Sequence, residues 1–254
     1  MTKVAALLLS VSAAFAQHAV APPQAGFIED GSRALRPVYG LAGNFILGRP
    51  IAGRIENAAF SGSLGLLKTG SSLAAFNAAG ELLASIDAPG GPALLAFSPG
   101  GTTALAYLPG MNALIEWRGS AFSRVSFQGI EGTVLAIAFP APLEATLIVQ
   151  RSVESLWEVH VPLGAPGTLS ESVLSGVRAP LLALPSGDLV YSAGSEIVLR
   201  HAGGAEVRIP ASLPRSFSLQ QMNQNWVELA DRNSSARFAI RTTSSREGFY
   251  RLPE

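Results

Sequence analysis

Five short apolar-rich runs recur at a nearly constant spacing. Leu73-Ala-Ala-Phe76, Leu114-Ile-Glu-Trp117, Leu156-Trp-Glu-Val159, Ile197-Val-Leu-Arg200 and Phe238-Ala-Ile-Arg241 begin 41, 42, 41 and 41 residues apart. Each is followed by a small polar turn and a second short apolar run. Each is preceded by another hairpin-like pair, such as Leu94-Leu-Ala-Phe97, the turn Ser98-Pro99-Gly100-Gly101, and Ala104-Leu-Ala-Tyr107. Four strands in about 40 residues cannot bury their own apolar faces, but stacked radially such units make a β-propeller. No segment keeps a 3.6-residue period over three turns, and the 17 prolines are spread along the chain, which opposes long helices. The expectation is therefore all-β: a propeller of about five to six four-stranded blades, one of them incomplete or closed by the N-terminal hairpin. A sandwich or an up-and-down barrel would not need a 41-residue period.

With strands lettered A to D from the channel outward, five A–B hairpins fall near 54–68, 93–107, 134–150, 180–191 and 216–229. Six C–D hairpins fall near 27–38, 73–86, 114–127, 156–174, 197–209 and 237–252. The first of these, Phe27 to Val38, lacks an A–B partner and is expected to pack near the C-terminal blade, because a propeller must remove its open edges. The favoured count is a six-position ring with one incomplete blade. Inner strands buried on both faces read as continuous apolar runs, as in Val134-Leu-Ala-Ile-Ala-Phe139.

The N-terminus reads as an export signal. Lys3 is the positive start, Val4 to Ala14 is an apolar stretch too short to span a bilayer, and Ala14-Phe15-Ala16 is an A-x-A cleavage site. The expected organisation is a signal peptide over 1–16, a leader over 17–25 with Pro22 and Pro23, and one domain over 26–254. The expected location is periplasmic or extracellular, with no membrane span after cleavage. There is no cysteine, and a domain this long closes a core without disulfides. Without Lys3, 17 basic residues face 18 acidic ones, so the basic footprint that nucleic acid requires is missing.

The segment Leu95-Ala-Phe-Ser-Pro-Gly-Gly-Thr-Thr-Ala-Leu-Ala-Tyr107 resembles the WD-like propeller repeats of bacterial exported proteins, of the TolB and YVTN types. Their usual A–B turn is Ser-Pro-Asp-Gly; Gly100 stands here in the Asp position. A weaker copy is Leu184-Pro-Ser-Gly-Asp-Leu-Val-Tyr191, Phe60-Ser-Gly-Ser is weaker still, and Phe139-Pro-Ala-Pro departs further. The resemblance implies a fold and a binding-scaffold habit, and it transfers no catalytic residue.

Motifs for chemistry are sparse. The three histidines are His18, His160 and His201; the last two sit at equivalent ends of neighbouring C strands and read as partly exposed rim residues rather than as a nucleophilic site. No G-x-S-x-G elbow, H-E-x-x-H, calcium loop, P-loop or dinucleotide fingerprint occurs, so no catalytic residue, metal or cofactor is assigned. The A strands carry almost no carboxylates, Glu56 being the main exception, which disfavours a channel metal of the lactonase type. Trp117 and Trp157 read as inter-blade core rather than a sugar-stacking platform.

One constellation lies on loops. The B–C and D–A connections share one face of a propeller, and here they carry Arg49, Asn112, Glu131, Arg151, Glu154, Arg178, Arg215, Asp231 and Arg232. Arginine pairs with carboxylate or phosphate in a bidentate way, so arginines from separate blades suit an anionic ligand. The bland reading is solvated loop arginines, or pairing with Glu154 and Asp231. The leading expectation is a non-enzymatic binder of a protein or polysaccharide partner through this face. The alternatives are an exported hydrolase or lyase of the lactonase type, and a structural subunit of an envelope complex whose half blade is completed by a partner strand along residues 27–38. Oligomeric state is not read from the sequence.

Overall fold

The computed structural model describes residues 22–62, 64–77, 81–126, 130–153, 155–163, 170–243 and 248–253. The export signal read over 1–16, His18 and most of the leader lie outside them. The described chain is a six-bladed β-propeller with a single 3-10 turn over Pro109–Met111. Blade 1 holds β1 (Gln24–Glu29), β2 (Leu35–Leu41) and β3 (Asn44–Leu47). Blade 2 holds β4 (Ile55–Ser61), β5 (Leu64–Thr69), β6 (Ser72–Asn77) and β7 (Leu82–Asp87). Blade 3 holds β8 (Leu94–Phe97), β9 (Thr103–Leu108), β10 (Ala113–Arg118) and β11 (Ala121–Val125). Blade 4 holds β12 (Thr133–Ala141), β13 (Glu144–Ser152), β14 (Ser155–Pro162) and β15 (Ser170–Val173). Blade 5 holds β16 (Leu181–Ala183), β17 (Leu189–Ala193), β18 (Glu196–Arg200) and β19 (Glu206–Pro210). Blade 6 holds β20 (Phe217–Asn223), β21 (Trp226–Asp231), β22 (Arg237–Arg241) and β23 (Gly248–Arg251). Every blade is an antiparallel meander in chain order. β1 begins two residues inside the segment read as leader.

The core lies between blades rather than within them. Leu105, Tyr107 and Leu114 of blade 3 pack on Val134, Phe139 and Leu147 of blade 4. Ala136 and Ile148 meet Leu181, Tyr191 and Val198 across the next seam. This is why inner strands such as β8, β12 and β16 read as continuous apolar runs, packed between neighbouring blades, whereas the outer β7 alternates and β15 is exposed throughout.

Blade 1 departs from the expected layout. Residues 27–38, read as an outer C–D hairpin, form its inner pair, and β3 adds a strand that the sequence reading missed. The direction of β1 shows which strand is absent. Phe27 stacks on Phe60 at the far end of β4 (ring centroids 4.2 Å apart), and Ile55 at the start of β4 donates its N–H to the Arg33 carbonyl (3.1 Å). On the other side, the Asn223 side chain donates to the Ala25 carbonyl (2.6 Å). β1 therefore runs opposite to β4 and β20. In direction, β1, β2 and β3 match the B, C and D strands of the other blades, and the A position is empty. Parity requires this: β3 must end on the face where β4 begins, so a three-stranded blade starts on the opposite face. With no A strand between them, β20 and β4 meet directly, and the Gln220 amide donates to the Ala58 carbonyl (2.9 Å).

The N-terminal hairpin packs on the C-terminal blade, as expected. Ala25, Ile28, Val38 and Phe45 share one cluster with Met222, Ala239 and Leu252. Residues 27–38 are thus internal to the ring, and the expected edge for a partner strand is not there.

Candidate functional site

The two ends of the channel differ. At the A–B end, Gln224 in the β20–β21 turn reaches across the ring. Its amide donates to Ser61 Oγ of blade 2 (3.3 Å) and to the Pro99 carbonyl of blade 3 (3.5 Å). The Ser98-Pro99-Gly100-Gly101 turn closes on itself through the Gly101 N–H to the Ser98 carbonyl (2.8 Å). Gly101 has φ +68°, and a Cβ there would sit 2.6 Å from Ser61 Oγ, so only glycine lets the two turns touch. Three turns thereby plug this end. The rest of the channel is a pocket of about 280 Å³, lined by the opening residues of the A strands, and it faces the B–C and D–A loops.

The pocket wall has two characters. Leu94, Leu135, Leu182 and Leu219 supply an apolar arc. Glu29, Glu56, Asn57, Ser218 and Gln220 make a polar sector on either side of the vacant A position. The gap lets Glu29 of β1 reach the cavity, so the channel holds a second carboxylate besides the expected Glu56. Behind it lie two buried ion pairs. Lys68 has no exposed side-chain surface; its Nζ donates to Glu56 Oε2 (3.1 Å) and to the Thr69 carbonyl. Glu228, also buried, accepts a hydrogen bond from Arg237 Nη1. Burial raises the Glu228 pKa to about 7 despite that guanidinium. Burial also raises Glu29, against the opposing fields of Arg237 and Arg33. Among the described residues no three His, Asp or Glu side chains form a metal-binding group.

The loop residues singled out from the sequence divide by environment. Arg151 is engaged: Nη2 donates to Glu171 Oε1 (2.6 Å), Nε to the Glu131 carbonyl (3.4 Å), and the guanidinium lies 4.7 Å from the centre of the Trp157 ring. It therefore reaches toward the outer strand of its own blade. The Glu171 hydrogen bond raises its pKa further. Asn112 is a turn residue with φ +45°, and its side chain accepts from the Tyr107 hydroxyl (3.0 Å). Asp231 caps its own loop by accepting from Asn233 N (2.9 Å) and Ser234 Oγ (2.7 Å), and that hydroxyl holds its pKa below the ordinary carboxylate value. Arg232 joins Arg215 at one corner of blade 6, where the Arg232 N–H donates to the Ser216 carbonyl (3.0 Å). Arg49, Arg178, Arg215 and Arg232 are exposed, as is Glu131, and Glu154 lies outside the described residues.

Two further arginines on this face escaped the sequence reading. Arg33 and Arg54 are exposed, both with φ +59°, and adjoin through the bond between Ile55 N and the Arg33 carbonyl. Left-handed backbone is uncommon for a residue with a side chain. Arg33 was missed because a C–D turn would face the other way.

His160 and His201 are structural. His160 Nδ1 lies 2.9 Å from Glu144 Oε1, and His201 Nδ1 lies 3.2 Å from Asp188 Oδ2. Each pairs with the start of its blade's B strand, on the plugged side of the ring. Trp117 is buried between blades 2 and 3, and Trp226 packs edge-on to Phe45 and Tyr250 in the closing seam.

No protein-family model matches the chain, and no curated protein matches it. Among solved structures, it is similar to the β-propeller domain of Myceliophteria thermophila Cps50 (Swd1), with a TM-score of 0.52, 10% identity, and 80% of this chain and 73% of that one covered. It is also similar to a functionally unknown protein from Desulfotomaculum acetoxidans DSM 771, with a TM-score of 0.50, 12% identity, and 89% and 84% covered. At these identities the likeness shows the propeller fold alone.

Proposed function

We propose that this protein is a binding module that takes an acidic stretch of a partner protein on the face where its channel opens. The observation that carries this reading is an imbalance of uncompensated charge. Arg33, Arg49, Arg54, Arg178, Arg215 and Arg232 are all exposed there, and no side-chain partner holds their guanidinium groups among the described residues. Among the described residues, the acids opposing them are the exposed Asp87 and Glu131 and the partly buried Glu29, while Asp30, Glu56, Glu196 and Asp231 are already hydrogen-bonded. A surface of one sign steers and selects a partner of the other. Ile51, Met111 and Val153 are exposed among these arginines, and arginine with methionine and apolar side chains is the composition of protein interfaces. A polysaccharide site would need open aromatic faces, but Trp157 is covered by Arg151 and the large exposed apolar residues on this face are aliphatic. The export reading of residues 1–16 and the resemblance to TolB and YVTN-type repeats extend the proposal: the partner belongs outside the cytoplasm.

A peptide array tests it. The protein should retain peptides rich in Asp and Glu over peptides rich in Lys and Arg at ~50 mM salt, and lose at least about tenfold in retention by ~300 mM, because exposed charges are screened. Replacing Arg49, Arg178, Arg215 and Arg232 by Glu should abolish the preference. Replacing Arg118 and Arg124, on outer strands of blade 3, should not. Indifference to peptide charge, or equal loss in both variants, would sink the proposal.

A further inference from the structure

We infer that the channel pocket is a receptor for a primary alkylammonium group carried on a compact apolar body. The inference concerns the interior of the channel and does not rest on the loop-face reading. Both buried cations already hold a carboxylate: Lys68 holds Glu56, and Arg237 holds Glu228. Glu29 is left over. It is partly buried, lines the pocket, and receives no hydrogen bond among the described residues. Arg237, committed to Glu228, acts on Glu29 through its field without a hydrogen bond, and Arg33, whose field also acts on it, stands exposed in solvent. A carboxylate removed from water without a donor is costly, and a ligand that supplies a charged donor removes that cost.

The neighbouring polar atoms also accept. Gln220 has given its amide N–H to the Ala58 carbonyl, so its side-chain oxygen remains for a ligand. Ser218, on the same strand, adds a hydroxyl that accepts as well as donates. Three acceptors grouped at one wall suit an ammonium head, which has three donors and no acceptor. An anionic head would meet Glu29 and Glu56 together. A neutral alcohol would leave the Glu29 carboxylate without a charged partner. Leu94, Leu135 and Leu182, from blades 3, 4 and 5, present aliphatic surface to the rest of the cavity. The volume fits a small body: a cavity of about 150 Å³ holds benzene, and this one measures about 280 Å³. The site exists because blade 1 lacks its A strand. A complete blade would place backbone where the Glu29 side chain enters.

The test is calorimetric titration of the full chain with cyclohexylmethylamine, cyclohexylmethanol and cyclohexanecarboxylate. The amine should bind at least about tenfold more tightly than the alcohol, and the carboxylate should not bind. Glu29→Gln should bring the amine down to the level of the alcohol and leave the alcohol unchanged. Leu94→Phe, which fills the cavity from another blade, should weaken both. A second arm uses Nα-acetyl-lysine N-methylamide. Tighter binding than the free amine assigns the site to a lysine of a partner, and weaker binding assigns it to a free amine; either supports ammonium recognition. Equal affinity of amine and alcohol for the unmodified protein overturns the inference whether or not a variant folds, and so does an amine preference that survives Glu29→Gln. Because Arg33 acts on Glu29 and is kept, the variant with Arg49, Arg178, Arg215 and Arg232 replaced by Glu should retain the amine-over-alcohol preference, so a failure here is separable from a failure of the loop-face proposal.

Discussion

Glu228 is the residue at which folding and ionisation conflict most. It sits buried on β21, held by Arg237 from β22 and facing Glu29 from β1. Unfolding returns it to water and to the ordinary glutamate pKa of 4.5, whereas in the fold its pKa is about 7. Between these values the folded state binds the proton more strongly, so stability is greatest at the acidic end and falls as pH rises toward 7. The full difference corresponds to roughly 3 kcal/mol. Glu29, shifted in the same direction by burial, adds to the slope. Chemical denaturation between pH 5 and pH 8 should show stability declining with pH, and Glu228→Gln should flatten most of that decline. An unchanged slope in the variant would place the titration elsewhere. Little of this was legible in the sequence. Glu228 reads as a polar residue on a strand, and its burial arises only because β1 covers that part of blade 6.

Among the elements, the repeat was readable and the exception was not. Each A–B and C–D hairpin of blades 2 to 6 lies where the 41-residue period and the Gly, Pro and Ser turns place it. The period is strict because each unit must bury its faces against a neighbour. Blade 1 begins outside the period. Its third strand, Asn44–Leu47, is four residues long, follows a tight Leu41-Ala42-Gly43-Asn44 turn, and carries too short a pattern to register. Missing it left an even strand count, which turned the hairpin over and put Arg33 and Glu29 on the wrong face and at the wrong radius. The closing seam tests this arrangement. Gly26 has φ +141°, and a Cβ there would lie 2.5 Å from the Met222 carbonyl oxygen. Gly26→Val should strain the backbone and push β1 off β20, at a cost of about 3 kcal/mol. In a domain of this size, that should lower the unfolding midpoint by roughly 10 °C. An unaltered midpoint would mean that β1 does not close the ring in this way.

Taken whole, the molecule is a ring plugged at one end and open at the other, with its uncompensated positive charge gathered around the open end. Fold class and the choice of face followed from topology, since B–C and D–A loops share one side whatever the residues. The fate of individual side chains did not. Arg151 looked equivalent to Arg178, yet it bridges Glu131, Trp157 and Glu171, because a longer B strand in blade 4 places it beside them. No helix among the described residues is long and apolar enough to cross a membrane. The central claim is that partners dock on the open face. Its most direct test is amide hydrogen exchange of the full chain, alone and with the tightest acidic peptide from the array. The account predicts slowed exchange in the loops at 48–54, 109–112, 174–180, 211–216 and 232–236, with the turns at 98–102 and 184–188 unchanged. Protection confined to those turns or to the outer strands, with the loops unaffected, would contradict it.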